Sequence, residues 1–291
     1  MILVTGASGL LAGPLLKELS KKKHPVRAVS RKDYDLSDNI SIKALFEGLK
    51  PEAVIHPAGF TDVDGCENDG AKAWRDNAET TRNLSRACGE KNIPFIYVST
   101  DYVLSGEKGT PYLENDSTNP VNIYGMTKLA GEVYARAGAG RSAVVRTSWL
   151  FGPGNPKNFV NAMSRRLRTE SKVGALDDQK GCATGASDLS EALVTVMEYL
   201  IKLEKNKIFH ETFHFCNAGE TTRFEMTRVM AKIMRRDQTE ISRIDPSTLT
   251  GRVALRPRVS ALSCAHYEKF FNLRIRPWQK SLEDYLRESG A

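Results

Sequence analysis

Hydrophobic positions in the first half of the chain alternate between two patterns: short uninterrupted apolar runs and longer stretches with helical spacing. Ile2, Leu3 and Val4 form a run that stops at Gly6, which predicts a short buried strand over residues 1–5. Residues 10–19 then carry apolar side chains at helical spacing. The alternation continues with strands over 26–29, 53–55, 95–98 and 143–146. Helices are predicted over 40–49, 69–91 and 122–137. The small-residue stretch Ala137-Gly138-Ala139-Gly140 reads as a turn between the last helix and strand.

Strands that alternate with helices of this length predict parallel strands joined by crossover helices. The expected fold class is α/β, a Rossmann-type doubly wound parallel sheet. Residues 1–150 are expected to form an NAD(P)-binding Rossmann domain. After Phe151 the pattern loosens into a Gly/Pro-rich loop at 152–156. Helices are predicted over 159–167, 188–203, 223–234 and 280–287, with a strand near 212–215. Residues 151–291 are therefore expected to form mainly a smaller C-terminal α/β substrate lobe, with some segments returning to the sheet. Such a lobe would cover the C-terminal edge of the strands, where open α/β sheets bind ligands.

Composition narrows the function classes. The 291 residues are 41% hydrophobic and 26% charged, as in an ordinary soluble globular protein. Lys and Arg number 42 against 35 acids, a net charge of +7. Two readings of that excess stay open, a solvated basic surface and an anionic ligand such as a nucleotide. The basic residues are scattered, with no aromatic-interleaved stripe, which argues against nucleic acid. The five cysteines, Cys66, Cys88, Cys182, Cys216 and Cys264, are widely spaced without a CxxC pair, so reduced thiols rather than a metal site or disulfide framework are expected. No run approaches a membrane span and no leader pattern opens the chain; the expected location is cytoplasmic.

Chemistry enters at the first turn. Thr5-Gly6-Ala7-Ser8-Gly9-Leu10-Leu11-Ala12 joins the first strand to the first helix, the setting of a dinucleotide fingerprint. Gly6 suits the tight turn, Gly9 lets the backbone approach a diphosphate at the helix N-terminus, and Ala12 stands where a third glycine is common. The second strand ends in Ser30-Arg31-Lys32, and a basic residue here suits the 2′-phosphate of NADPH. Asp33 and Asp35 lie close by, and NADH remains the alternative. Farther on, Tyr124 and Lys128 share one face of a predicted helix. They follow a strand ending in Val98-Ser99-Thr100-Asp101-Tyr102. Reduction of a carbonyl by hydride leaves an alkoxide that needs a proton. A tyrosine hydroxyl can give it, and an ammonium one turn away is expected to favour the phenolate and lower a pKa that starts at about 10. Thr100 would hydrogen-bond the carbonyl.

These residues resemble the extended short-chain dehydrogenase/reductases and, among them, the dTDP-4-dehydrorhamnose reductase family. The resemblance runs nearly end to end. It takes in Gly6-Ala7-Ser8-Gly9, Asp35-Leu36-Ser37-Asp38, residues 51–64, Ser99 to Val103 and Tyr124 to Glu132. It continues through Arg146-Thr147-Ser148-Trp149, Asp178-Gln179-Lys180-Gly181 with Thr184, and Arg256-Pro257-Arg258. It implies a catalytic trio of Thr100, Tyr124 and Lys128. It implies Asp101, Tyr102 and Trp149, with Thr100, at a nucleotide-sugar substrate. It places Gly6, Ser8, Gly9, Leu10, Leu11, Arg31, Asp35, Leu36, Ala58, Gly59, Asn77, Tyr124 and Lys128 at an NADPH (or NADH) site.

The sequence departs from the family at three places. The Ala-rich cofactor segment reads His56-Pro57-Ala58-Gly59. Ala183 replaces a proline before Thr184. Pro14 stands where some members carry a glutamate of a magnesium site at a dimer interface, so no metal is expected, and the chain is read as a monomer or homodimer without nucleic-acid or membrane partners. The expected reaction is reduction of dTDP-4-dehydrorhamnose to dTDP-L-rhamnose. The alternatives are a reductase or epimerase/reductase of another nucleotide sugar, and a non-catalytic NADP-binding regulator similar to the methionine adenosyltransferase beta subunit. The Arg146–Trp149 segment speaks against the regulator.

Overall fold

The computed structural model describes residues 1–156 and 158–290. The alternation of the first half resolves into β1 (Ile2–Thr5), α1 (Ala12–Lys21), β2 (Val26–Val29), α2 (Asn39–Leu49) and β3 (Ala53–His56). Helices α3 (Val63–Asn68), α4 (Gly70–Ala73) and α5 (Thr80–Glu90) follow, then β4 (Phe95–Thr100), α6 (Ile123–Gly138) and β5 (Arg141–Thr147). The second half holds β6 (Leu150–Phe151), α7 (Phe159–Thr169), β7 (Lys172–Leu176), β8 (Lys180–Gly181), β9 (Thr184–Gly185) and α8 (Ala186–Lys202). It ends with β10 (Phe209–His214), β11 (Thr221–Thr222), α9 (Arg223–Ile233), β12 (Glu240–Ile244), α10 (Ala265–Phe271) and α11 (Trp278–Glu288).

Six strands form one sheet in the order β10-β5-β4-β3-β1-β2, every pair parallel. Both faces of this sheet are covered, which is why its strands read as continuous apolar runs. Ile2, Val4, Ile55, Ile96, Val98 and Val145 turn toward α1 and α8. Their neighbours Leu3, Val54, Phe95, Tyr97 and Val144 turn toward α2, α5 and α6. The strand order reverses between β1 and β3, and a doubly wound sheet opens its ligand crevice there.

A separate apolar cluster holds the smaller lobe. Phe151, Val160, Met163, Leu167, Phe224, Met226, Met230, Trp278, Leu282 and Leu286 pack together from α7, α9 and α11. Two segments of the second half join the sheet instead: β10 lies along β5, and α8 packs on the α1 side. Several features were absent from the sequence pattern, among them α3 and the short strands β6, β8, β9 and β11. Strands β7 and β12 pair in parallel over five residues each, and α10 is seven residues long. Both strands are short; β7 buries only the alternate residues Val173 and Ala175 and β12 is largely exposed, so neither carries a continuous apolar run.

The helix predicted over 69–91 is interrupted. A π-helical turn, Trp74–Glu79, separates α4 from α5. Such a turn shifts the residues after it out of step with a regular helix. Helix α2 is capped by Asp38, which accepts from Ile40 N (3.3 Å) and Ser41 N (2.9 Å). In α6, Asn122 accepts from Gly125 N at 2.8 Å.

Helix α6 is fixed to the sheet by a buried charge cluster. Glu132 accepts two bonds from Arg146 of β5, Nε to Oε1 and Nη2 to Oε2, each 2.8 Å. Ser99 of β4 donates to Oε1 at 2.7 Å. Arg136 adds a weaker pairing at 3.3 Å. Glu132 is fully buried and Arg146 nearly so. Burial alone would raise the Glu132 carboxyl, but the Arg146 and Ser99 bonds outweigh it and hold it below the ordinary value. The helix can lie this close because position 131 is glycine; a Cβ there would collide with the Tyr97 hydroxyl.

Removing one partner of such a pair strands the other charge in the core. Glu132→Ala is expected to lower the unfolding free energy by about 3–5 kcal/mol. Chemical denaturation followed by circular dichroism checks this, and a loss under about 1 kcal/mol would show that the pair does not anchor α6.

Candidate active site

The C-terminal ends of β1 to β5 open onto a cleft of about 870 Å³. Gly6, Ser8, Gly9, Leu10 and Leu11 form one end of its wall. Gly6 has φ of +70°, and a Cβ there would stand 3.1 Å from Ala58 Cα, so only glycine lets the two loops meet. Helix α1 begins after Leu11 with no side-chain cap and no acid in its first turn. Ala12 N donates to Gly9 O at 3.2 Å and Pro14 has no N–H, which leaves Leu11 N and Gly13 N for an external acceptor, and the helix dipole favours an anion there. An uncapped helix and a glycine cradle fit the diphosphate of a dinucleotide.

The β3 loop is braced from behind. His56 is fully buried, with Nδ1 2.7 Å from Thr5 Oγ1 and Nε2 3.2 Å from Thr81 Oγ1. Burial, and then the Lys128 charge, push its pKa down to about 3, so it is neutral. Thr5 in turn accepts from Ala58 N at 3.3 Å. The departure at His56 is thus a hydrogen-bonded strut between β1, β3 and α5. Ala58 and Gly59 line the cleft. Asn77 does not. Its amide accepts from Phe60 N (2.7 Å) and donates to Phe60 O and Thr127 Oγ1 (both 3.0 Å), which uses its hydrogen-bonding groups. It lies in the π turn, fully buried, and ties the Phe60 loop to α6.

At the β2 end, Ser30, Arg31, Tyr34 and Leu36 line the cleft, facing Lys72, Asp76 and Thr80. Arg31 is ion-paired with Asp76, which also takes Lys72 Nζ and Arg75 Nε at 3.0 Å each. Burial would raise the Asp76 carboxyl, but hydrogen bonds from these three cations outweigh it and lower it. Three cations around one carboxylate leave a local positive surplus. The acids nearest Arg31 in sequence are spent locally: Asp33 accepts from Ser30 N and Oγ (both 2.8 Å), and Asp35 from Ser37 N (3.0 Å) and Oγ (2.6 Å). Asp35 does not line the cleft.

Thr100, Tyr124 and Lys128 all line its centre. Lys128 is buried, with Nζ donating to Val98 O at 2.7 Å and lying 4.1 Å from the Tyr97 ring centroid. Burial lowers its pKa to about 7, against a smaller opposing pull from Glu132. Burial likewise drives Tyr124 well above the ordinary tyrosine value, and a hydrogen bond with Thr100 only partly offsets it. This corrects the expectation that Lys128 would depress the tyrosine. The hydroxyl stays protonated because the phenolate would be the desolvated ion. Thr100 Oγ1 donates to Asp101 Oδ1 at 3.0 Å, and Ser260 donates to Asp101 Oδ2 at 2.5 Å. Burial raises Asp101 to about 6 despite those two bonds. The Tyr102 ring meets Tyr124 edge-on, with centroids 5.6 Å apart.

The opposite wall comes from the smaller lobe. Trp149 has φ of +42°, a left-handed backbone that costs a non-glycine residue about 1–2 kcal/mol. It is held there by Ser148 Oγ donating to Cys182 O (2.5 Å) and by Thr184 N donating to Trp149 O (3.3 Å). The Arg223 guanidinium lies 4.1 Å from the Trp149 ring centroid and 4.6 Å from that of Phe159. Behind the cleft, Arg256 grips Asp64 through Nη1 (2.9 Å) and Nη2 (2.5 Å), joining two segments the resemblance matched separately.

The structure thus gathers fifteen of the seventeen predicted site residues on one cleft and leaves out Asp35 and Asn77. Sequence reasoning missed Lys72, Arg75, Asp76, Arg223 and Ser260. Lys72 and Asp76 lie four apart in a helical stretch, a signal that was present; Arg223 and Ser260 had none.

Known proteins place this geometry. A profile described as the RmlD substrate binding domain matches residues 1–290. A dTDP-4-dehydrorhamnose reductase of Streptomyces griseus is 33% identical over 97% of this chain and 91% of its own length. A dTDP-4-keto-6-deoxy-D-glucose reductase of Streptomyces niveus is 31% identical over 96% of this chain and 94% of its own. Among solved structures, a dTDP-4-dehydrorhamnose reductase of Bacillus anthracis in complex with NADP superposes with a TM-score of 0.90. It is 26% identical, covering 99% of this chain and 98% of the other.

Proposed function

Because the chain belongs to the RmlD substrate-binding family, we propose that it reduces a keto group on a nucleotide-linked deoxysugar with NADPH. The observation that carries this reading is the meeting of Thr100, Tyr124 and Lys128 with the uncapped α1 loop in one cleft. The favoured substrate is dTDP-4-dehydrorhamnose, giving dTDP-L-rhamnose. A second reading, another dTDP-linked 4-keto-6-deoxysugar, draws on the Streptomyces niveus relative, which matches at similar identity.

When bound, the reduced nicotinamide supplies the hydride. The chain's own residues handle the proton. Tyr124, protonated throughout the neutral range, donates from Oη to the oxygen of the reduced carbonyl. The phenolate left behind is a buried anion, and the Lys128 ammonium one turn away stabilises it. Lys128 has a cost of its own: burial brings its pKa to about 7, so its ammonium is fully populated only on the acid side. Thr100 lies beside Tyr124 and holds the substrate oxygen within reach. NADPH is favoured over NADH by the basic surplus of Arg31, Lys72 and Arg75 around Asp76.

The direct test is NADPH oxidation by the purified protein with a panel of dTDP-linked 4-keto sugars. Turnover of dTDP-4-dehydrorhamnose ahead of the others is expected, and Tyr124→Phe should cut it by about 100- to 10,000-fold while leaving NADPH affinity within a few-fold. No turnover of any member overturns the reading, and wild-type rate in the variant removes the proton-donor role.

The pH dependence has a defined sign. Lys128 carries its proton below about 7 and loses it above. Reduction needs that charge, so kcat/KM is expected to fall as pH rises through about 7. A flat profile to pH 9 would dissociate the ammonium from catalysis.

Arg31→Ala is expected to weaken NADPH roughly 5- to 10-fold and NADH less than about 2-fold. Equal losses for the two coenzymes, measured by fluorescence titration, would remove the 2′-phosphate argument.

A further inference from the structure

Four cations line the cleft among the described residues: Arg31, Lys72, Lys128 and Arg223. Three of them are engaged. Arg31 and Lys72 share Asp76, and Lys128 donates to Val98 O. Arg223 differs. It forms no ion pair or side-chain hydrogen bond, and the only attractions on its charge are the more distant Tyr102 and Asp101. Arg223 is half-buried in the cleft wall, and desolvation pushes its pKa down to about 10, so it remains charged. Asp101 is a weak counter-ion, because its carboxylate is taken by Thr100 and Ser260 and burial moves it toward neutrality.

The placement of Arg223 is constrained by packing. Its guanidinium lies over the faces of Trp149 and Phe159, which leaves the N–H edge as the part able to bond. A guanidinium edge presents two parallel donors that suit phosphate oxygens. The α1 loop, with its uncapped N–H groups, already answers for the diphosphate of a dinucleotide on the sheet side. Arg223 stands at the start of α9 on the lobe side, with Trp149 and Phe159. The second ligand therefore needs its own anion receptor on that wall, since a nucleotide sugar brings a second diphosphate into the same cleft.

Resting on the function proposed above, we propose that Arg223 binds the diphosphate of the nucleotide sugar, with Trp149 and Phe159 as the platform that orients its guanidinium. The role belongs to the diphosphate and not to the base or the sugar. It accounts for a half-buried charged side chain that lines the cleft on two rings and has no ion-pair or hydrogen-bond partner among the described residues. It also gives a reason for the left-handed backbone at Trp149, whose ring must face Arg223.

The test is calorimetric titration of NADP⁺-saturated protein with dTDP, UDP and thymidine, in the wild type, Arg223→Met and Arg223→Lys. The methionine keeps an apolar stem on the two rings and removes the charge. It is expected to weaken dTDP and UDP by about 10- to 100-fold and to leave thymidine within about 2-fold. The lysine keeps the charge without the fork and should fall between. NADPH affinity should not change in either variant. Unchanged dTDP affinity in Arg223→Met, or an equal loss for thymidine and dTDP, overturns the proposal while leaving the reductase reading intact. Failure of the wild type to bind dTDP or UDP overturns both. Should Arg223→Met not fold, Arg223→Lys decides by the same comparison of dTDP with thymidine.

Discussion

The bidentate pair between Glu132 and Arg146, closed by Ser99, is the constraint on which the cleft depends. It joins α6 to β5 and β4 at one point, and one and two turns up the same helix stand Lys128 and Tyr124. The ends of the same two strands carry Thr100 and Trp149 into the cleft. A shift of α6 by one residue would turn the catalytic face about 100° around its axis. Apolar packing alone specifies such a register weakly, because neighbouring small side chains can exchange places. A buried carboxylate that must find one guanidinium and one hydroxyl has no second arrangement of comparable energy.

The same burial that fixes the helix sets the acid–base character of the site. Desolvation moves Tyr124 up and Lys128 down, because in each case the ionised form is the one that loses water. Tyr124 therefore holds its proton more tightly, and Lys128 less tightly, than a helical pair in solvent would. The consequence favours one direction of chemistry. A phenol held neutral is ready to give a proton, whereas oxidation of an alcohol would need the phenolate first. The arrangement is that of a site tuned for reduction, with the lysine as the group that responds to pH.

Much of this was legible in the sequence. The strand runs, the helix spacing and the Gly6–Ala12 turn gave the sheet nearly element by element, because a parallel sheet buried on both faces leaves continuous apolar runs. Tyr124 and Lys128 were legible because helical geometry makes four-residue spacing a shared face. What escaped depended on distance in space. Asp76 organises Arg31 from 45 positions away, and Asn77 turned out to hold the Phe60 loop because a π turn, invisible to a 3.6-residue period, aims it inward. The direction of the Tyr124 shift was misjudged for a related reason: spacing reveals the neighbouring charge but not the depth of burial, and depth is the larger influence here. Strands β7 and β12 were missed because β7 buries only the alternate residues Val173 and Ala175 and β12 is largely exposed, which leaves no apolar run to read.

The +7 net charge ends with a more local meaning than composition allowed. Many of the basic residues form ion pairs at the surface, where such pairs contribute little. The charge that counts lies at two places along one cleft, the cluster of Arg31, Lys72 and Arg75 on the sheet side and Arg223 on the lobe side. The first has a carboxylate at its centre and only a surplus to offer; the second has two ring contacts and no ion pair among the described residues. A guanidinium half-buried against two rings without an ion pair gives up part of its hydration in the empty molecule, and a ligand anion would return that energy on binding. Between these two cationic regions lie Thr100, Tyr124 and Lys128. The charge distribution alone thus divides the cleft into two anion-receiving ends with proton-transfer chemistry at the middle, which is the layout required when two phosphate-bearing ligands must meet head to head.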